Sequence, residues 1–287
     1  MTTDPERPLF SIIIPAHNEA GVIRRNLSGL EELERVAEII VVANGCTDDT
    51  VEEAASLPWV SHVLDVAEPS KIAALNAGDR AASHFPRIYL DADIGVTTEG
   101  LESLARELSD GPARVASLAP QFDTDGRPWL VRAFYRAFER TPYVQNELVG
   151  LGLYGVNASG HARIAPFPAV LADDLYVQRS FAPDERITLR SHTFTVATPR
   201  SLRALVSVRT RVARGNAHLA SGPGISHTSH LDSDRSSVST IASLLRQSVR
   251  HPSSAADAIV FVAVNLAGRC MARAQPHRAW ERDMTTR

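Results

Sequence analysis

The strongest constraint on the fold is the alternation that runs through the first hundred residues. Four short apolar runs, Leu9 to Ile14, Ala37 to Val42, Val60 to Val66 and Ile88 to Leu90, are separated by stretches whose apolar positions follow helical spacing. Continuous apolar runs suit strands covered on both faces, and a repeated strand, helix, strand rhythm closes a parallel sheet through right-handed crossovers. The expected class is α/β: a doubly wound, mainly parallel sheet flanked by helices. Between the strands, Asn18 is placed to cap a helix with Glu19 in its first turn and Val22, Ile23, Leu27 and Leu30 on one face. Asn44 to Asp49 turns the chain into a second helix ending near Ala55, and Lys71 to Ser83 is a third.

Beyond this region the rhythm loosens. Thr98 to Leu108 reads as a helix, Arg114 to Ala119 as a strand and Pro128 to Arg140 as a helix. Leu148 to Ser159 places glycines inside an apolar, strand-like pattern, which fits either a bend at a close approach or a plain edge strand. Asp173 and Asp174 open a helix to Phe181, followed by strand material from Ile187 to Val196 and a basic helix from Arg200 to Arg214. Residues 1–220 are expected to form one domain. Ser221 to Ser237, rich in Ser, Gly and Asp, should be a mobile loop, and 238–287 a helical C-terminal extension with helices at Val238 to Arg250 and Ala255 to Ala274.

Composition narrows the function classes. A net charge of −3 leaves no footprint for nucleic acid, and two cysteines, Cys46 and Cys270, suggest neither a disulfide framework nor a cysteine metal site. The N-terminus lacks a basic segment followed by an apolar one, so a cytoplasmic protein is expected. Ala258 to Leu266 is apolar almost all round, with Arg269, Arg273 and Arg278 after it. Such a helix is either buried, in this domain or across a homodimer, or lies peripherally on a membrane. Of 30 lysines plus arginines only Lys71 is lysine.

Where the fourth apolar run ends, Asp91 and Asp93 follow. In an extended segment their side chains share one side while Ala92 turns away, which leaves room for one hard cation. An ordinary Asp turn or helix cap is the alternative. Asp173 and Asp174 are likewise either functional carboxylates or two acids at a helix N-terminus.

In order, Ile12 to Glu19, Val41 to Thr50, Ser70 to Gly78 and Leu90 to Asp93 resemble the family 2 glycosyltransferases, strongly over about the first hundred residues and loosely to Gly215. The resemblance implies a GT-A fold and transfer of one sugar from a nucleotide diphosphate sugar to an acceptor hydroxyl, with 1–120 as the nucleotide-binding half and 121–220 as the acceptor half. It places Pro15, Ala16, His17, Glu19, Asn44, Lys71, Asn76, Asp91 and Arg211 at the nucleotide sugar. It gives Mg or Mn to Asp91 and Asp93, and the catalytic base to Asp174 beside Asp173. The implied reaction is metal-dependent, inverting and non-processive, toward a polysaccharide, lipid-linked or small-molecule acceptor.

Departures from the family pattern matter too. Ala43 and Asn44 stand where relatives carry acids, which leaves base identity open and admits an inactive nucleotide-binding scaffold as a second reading. An amide oxygen still accepts a hydrogen bond while its nitrogen donates. Val208 and Val212 replace the glutamine and tryptophan of a processive signature in which Arg211 survives, and a solvated basic face is the alternative for Arg211 and Arg214. His218, His227 and His230 are candidates for a metal-binding histidine that no spacing selects. A dehydrogenase is disfavoured because Pro15 to Glu19 contains no glycine.

Overall fold

The structure, a computed structural model, describes residues 10–146, 151–170, 172–221 and 254–274. Two compact units divide the chain: Met1–Gln121, Leu148–Ala169 and Ser180–Val196 form the first, and Phe122–Glu147, Val170–Arg179 and Ala197–Arg287 the second. Their segments alternate in sequence because later strands return to the first unit's sheet.

In chain order the elements are β1 (Phe10–Ala16), α1 (Ile23–Leu27), β2 (Ala37–Asn44), α2 (Thr50–Ala55), β3 (His62–Val66), α3 (Lys71–Ala81), β4 (Arg87–Leu90) and β5 (Gly95–Val96). There follow α4 (Thr98–Glu107), β6 (Val115–Asp123), α5 (Trp129–Glu139), α6 (Pro142–Asn146), β7 (Leu153–Val156), α7 (Ala158–Ile164), α8 (Asp173–Arg179), β8 (Arg186–Ala197) and α9 (Leu202–Ser221). The last described helix, Ser254–Ala274, is α10 here.

The sheet runs β3-β2-β1-β4-β7-β6-β8-β5. It is parallel from β3 to β4, with Ile12 opposite both Ile39 and Ile88. Every residue of β1 is buried, as a central strand with both faces covered requires. The sheet turns antiparallel where the sequence rhythm loosens, β7 pairing with β4 and β6, and β5 with β8. Helix α4 shows why these helices form where they do: Thr97 caps it by accepting from the Gly100 N–H at 3.2 Å, and Leu101, Leu104 and Ala105 face the core.

Local departures from the sequence reading have physical causes. Asn18 does not cap a helix, because it adopts φ +53° and its side-chain oxygen accepts from the Thr47 N–H at 2.8 Å; the helix begins only at Ile23, without a side-chain cap. The strand-like pattern near residue 150 shortens to β7, because Asn157 starts α7 by accepting from the Gly160 N–H at 2.9 Å. Helix α9 continues past Arg214 to Ser221. Apart from Ser221, the expected loop Ser221 to Ser237 lies outside the described residues, as does the expected helix Val238 to Arg250.

The second unit packs α5, α9 and α10 around aromatic rings. Phe261 stacks on Phe134 and Phe138, with centroids 5.1 and 6.2 Å away. The Arg209 guanidinium lies 5.8 Å from both of those rings and donates to Asn265 Oδ1 at 2.9 Å; burial pushes its pKa down. Asp257, in the first turn of α10, accepts from Arg136 Nη2 at 2.6 Å and Nε at 3.0 Å, a bidentate clamp onto α5.

Candidate active site

Strand ends β1 and β2 build the first part of the site in the sheet unit. His17 Nδ1 lies 2.5 Å from the Asn44 carbonyl, so that nitrogen carries the proton and donates. Asn44 Nδ2 donates to the Ala16 carbonyl at 2.9 Å. The loops beyond are laced by the Glu19 N–H to Thr50 Oγ1 at 2.7 Å and the Ala20 N–H to Asp48 Oδ2 at 3.2 Å. Because the Ala16 carbonyl demands a donor, the Asn44 oxygen is left as an open acceptor. It is buried, with no hydrogen-bond partner among the described residues. An orphaned acceptor of this kind costs about 1–3 kcal/mol until a donor reaches it.

Helix α3 supplies the second part. Ser70 caps it, accepting from the Ala73 N–H at 3.2 Å, and Lys71 follows as its first residue. Two polar anchors fix the helix. Asn76 spends both amide atoms on the backbone of Phe167, donating to its carbonyl at 2.9 Å and accepting from its N–H at 2.8 Å. Asp79, buried, accepts from Arg87 at 2.9 Å and from the Tyr89 hydroxyl at 2.8 Å, and its second oxygen lies 2.9 Å from His161 Nε2. Burial, aided by the Asp79 charge, raises the Tyr89 pKa well above its ordinary value.

The third part is the end of β4. The strand stops at Leu90, and Asp91 to Ile94 form a turn closed by the Ile94 N–H to the Asp91 carbonyl at 3.1 Å. The two carboxylates are therefore presented by a turn and not by extended alternation. Ala92 points into the core and Asp93 is exposed. Two contacts hold the turn: Asn26 donates to the Ala92 carbonyl at 2.8 Å, and the Asp91 N–H donates to the Gly152 carbonyl at 2.8 Å. Gly152 has φ +90°, and a Cβ there would lie 3.0 Å from Asp91 Oδ2 and 2.9 Å from Ile94. Lys71 Nζ sits 2.7 Å from Asp91 Oδ1. The structure thus brings Lys71 and Asp91 together beside Asp93.

In the second unit, α8 opens on the acidic pair. Asp173 is buried, while Asp174 is half-buried with Oδ1 accepting from the Leu175 N–H at 2.8 Å. The segment entering α8 packs on α9, where a Cβ on Gly215 would meet the Ala172 methyl at 3.3 Å. Arg211 on α9 is exposed, and Arg214 Nε is buried without a hydrogen-bond partner among the described residues. His218 lies on α9, but its side chain falls outside the described residues, as do His227 and His230 entirely. Sequence reasoning passed over Asn26 and Asp79, whose hydrogen bonds join segments remote in sequence and leave no local pattern. The glycine-in-strand pattern did point toward Gly152.

The ends of the parallel strands and the start of α3 thus present an open amide acceptor, a lysine and two carboxylates. Residues 11–164 match the family described as Glycosyl transferase family 2, over half of the chain, and the protein belongs to that family. No curated protein matches the sequence. Among solved structures, the mannosyltransferase PcManGT from Pyrobaculum calidifontis, in complex with GDP-Man and Mn2+, is similar at TM-score 0.60 and 22% identity, covering 94% of this chain and 85% of that one. Glucosyl-3-phosphoglycerate synthase from Mycobacterium tuberculosis, in complex with Mn2+, UDP and glucosyl-3-phosphoglycerate, is similar at TM-score 0.52 and 18% identity, covering 72% and 78%. The fold is that of the GT-A glycosyltransferases.

Proposed function

We propose that the protein transfers a single sugar from a nucleotide diphosphate sugar to an acceptor hydroxyl, with inversion and without processivity. The observation that carries this reading is the pairing of Lys71 with Asp91 on the turn that also presents Asp93. Cation and carboxylates at one strand end suit a diphosphate and its counter-ion. The open Asn44 oxygen supports a place for a base N–H beside it.

The donor set fits Mg or Mn. Asp91 and Asp93 offer hard carboxylate oxygens, and substrate oxygens and water would complete the shell of such an ion. When bound, such an ion neutralises charge on the departing diphosphate. Lys71 is suited to a phosphate oxygen as a compact charge on a flexible stem. Asn76, with both amide atoms committed to Phe167, serves by fixing α3 behind Lys71. Asp174 is assigned the proton of the acceptor hydroxyl, so that the oxygen attacks the anomeric carbon from the face opposite the diphosphate.

The test is to incubate the protein with Mn2+ and a panel of nucleotide sugars and to follow release of nucleoside diphosphate. Slow hydrolysis of one donor, abolished by chelator, is the expected result. Diphosphate binding with every donor left intact, across acceptors, would favour the inactive-scaffold reading.

A further inference from the structure

Six of the seven large hydrophobic side chains exposed among the described residues lie on the three helices of the second unit: Trp129, Leu130, Leu202, Ile259, Leu266 and Met271. Helix α10 shows the arrangement best. Asp257, Val260, Phe261, Val264 and Gly268 are buried, while Ile259 (69% exposed) and Leu266 (54% exposed) stand on the opposite side. Ala263, Cys270 and Arg273 continue that stripe at spacings of three and four residues. The helix has the length and hydropathy of a membrane span, yet only 28% of its apolar window is buried.

Charge identifies the partner. Helix α9 contains no acid, the only acid of α5 is half-buried Glu139, and the only acid of α10 is Asp257, buried and clamped by Arg136. Arg132, Arg203, Arg211 and Arg273 are exposed on the same helices. The exposed charges of α10 itself are Arg269 and Arg273 alone, so a second copy docked face to face would set arginines against arginines. An anionic surface would not. Exposed aliphatic residues and arginines without an exposed acid, as on α10, are the composition of a helix lying in a membrane interface.

We propose that the outer face of α10, assisted by neighbouring exposed residues of α5 and α9, docks the protein peripherally on an anionic phospholipid surface. The helix lies along that surface and does not cross it, because its inner face is occupied by the Asp257 to Arg136 clamp and by Phe261 stacked on Phe134 and Phe138. This inference stands independently of sugar transfer.

The experiment is flotation of the full chain with phosphatidylglycerol-containing vesicles against phosphatidylcholine-only vesicles, alongside light scattering of the protein alone. Wild type is expected to float with the anionic vesicles and to be released by salt. The double variant Ile259→Glu, Leu266→Glu should lower partitioning about tenfold or more, and Arg273→Gln about fivefold. Both positions of the double variant are exposed, and a thermal melt matching wild type confirms that it folds. Wild type left entirely in the bottom fraction, a double variant that floats like wild type, or a wild-type dimer that the double variant converts to monomer would each overturn the proposal.

Discussion

Lys71 Nζ lies 2.7 Å from Asp91 Oδ1, so the only lysine of the chain and the first carboxylate of the β4 turn hold each other. Both are partly exposed, and a pair of this kind adds little to stability by itself. Its interest is chemical. A carboxylate already facing an ammonium is a weaker ligand for a second cation, and a donor diphosphate offers Lys71 another anion. Lys71→Ala is therefore expected to weaken nucleoside diphosphate binding by about 1.5–3 kcal/mol while Mn2+ alone binds at least as tightly as to wild type. Isothermal titration with each ligand measures both effects; unchanged diphosphate affinity would return Lys71 to a surface role.

Asp93 is exposed on the same turn, so its replacement should spare the fold. On the proposed reading, Asp93→Ala abolishes the gain in diphosphate affinity that Mn2+ confers, and chelator produces the same loss in wild type. Thermal shift with diphosphate, with and without Mn2+, reads this directly. A metal-dependent shift that survives the substitution would contradict the assignment.

Much of the sheet unit could be read from sequence because its signals are local. The stretches Ile12 to Ile14, Ile39 to Val42 and Ile88 to Leu90 are apolar throughout since both faces of their strands are covered, and that burial writes itself into consecutive residues. The turn at Asp91 was harder. Nothing within Leu90 to Asp93 distinguishes an extended end from a turn held by Asn26 and Gly152, partners 66 and about 60 residues away. Asp79 reads as one more polar residue of an amphipathic helix, and only the approach of Arg87, Tyr89 and His161 makes it an anchor. Of the two expected C-terminal helices, Ala255 to Ala274 matches α10, yet which side of it faces protein depends on rings contributed by α5.

Glu38 offers a pH test at the far end of the same strands. Burial would raise its pKa, but hydrogen bonds from Ser11 at 2.6 Å and from the Ser83 N–H at 2.8 Å outweigh it, and the folded value is lowered. A lowered folded pKa means that the stabilisation is complete above the ordinary carboxylate range and is lost as pH falls through the folded value. Glu38→Gln should cost about 1 kcal/mol at neutral pH, with the difference from wild type shrinking on acidification. Urea unfolding at several pH values tests it; a gap that stays constant or widens in acid would refute the sign.

The Asp257 clamp is a stability test of the second unit. Its carboxylate is buried and accepts two hydrogen bonds from Arg136, whose pKa is raised chiefly by that bond. Arg136 is itself partly exposed, so the loss is tempered by solvent. Asp257→Asn should destabilise by about 2 kcal/mol, and pairing it with Arg136→Gln should cost less than the sum of the single substitutions. Additive losses in chemical denaturation would show that the two side chains act separately.

Asp174 carries the test of the chemistry itself. It stands half-buried in the first turn of α8, with Oδ1 accepting from the Leu175 N–H, so a neutral isostere can keep that hydrogen bond and the turn with it. Asp174→Asn removes the capacity to take a proton while leaving size and shape in place. An acceptor hydroxyl is a poor nucleophile at neutral pH unless a carboxylate within hydrogen-bond reach removes its proton as the new bond forms. If Asp174 is that base, transfer should fall by about 10² to 10⁴ while donor affinity stays close to wild type, and the wild-type product should carry the opposite anomeric configuration to the donor. Donor titration and product NMR separate binding from chemistry. Near-normal turnover in the variant, or a product that retains the donor's configuration, would remove Asp174 from this role.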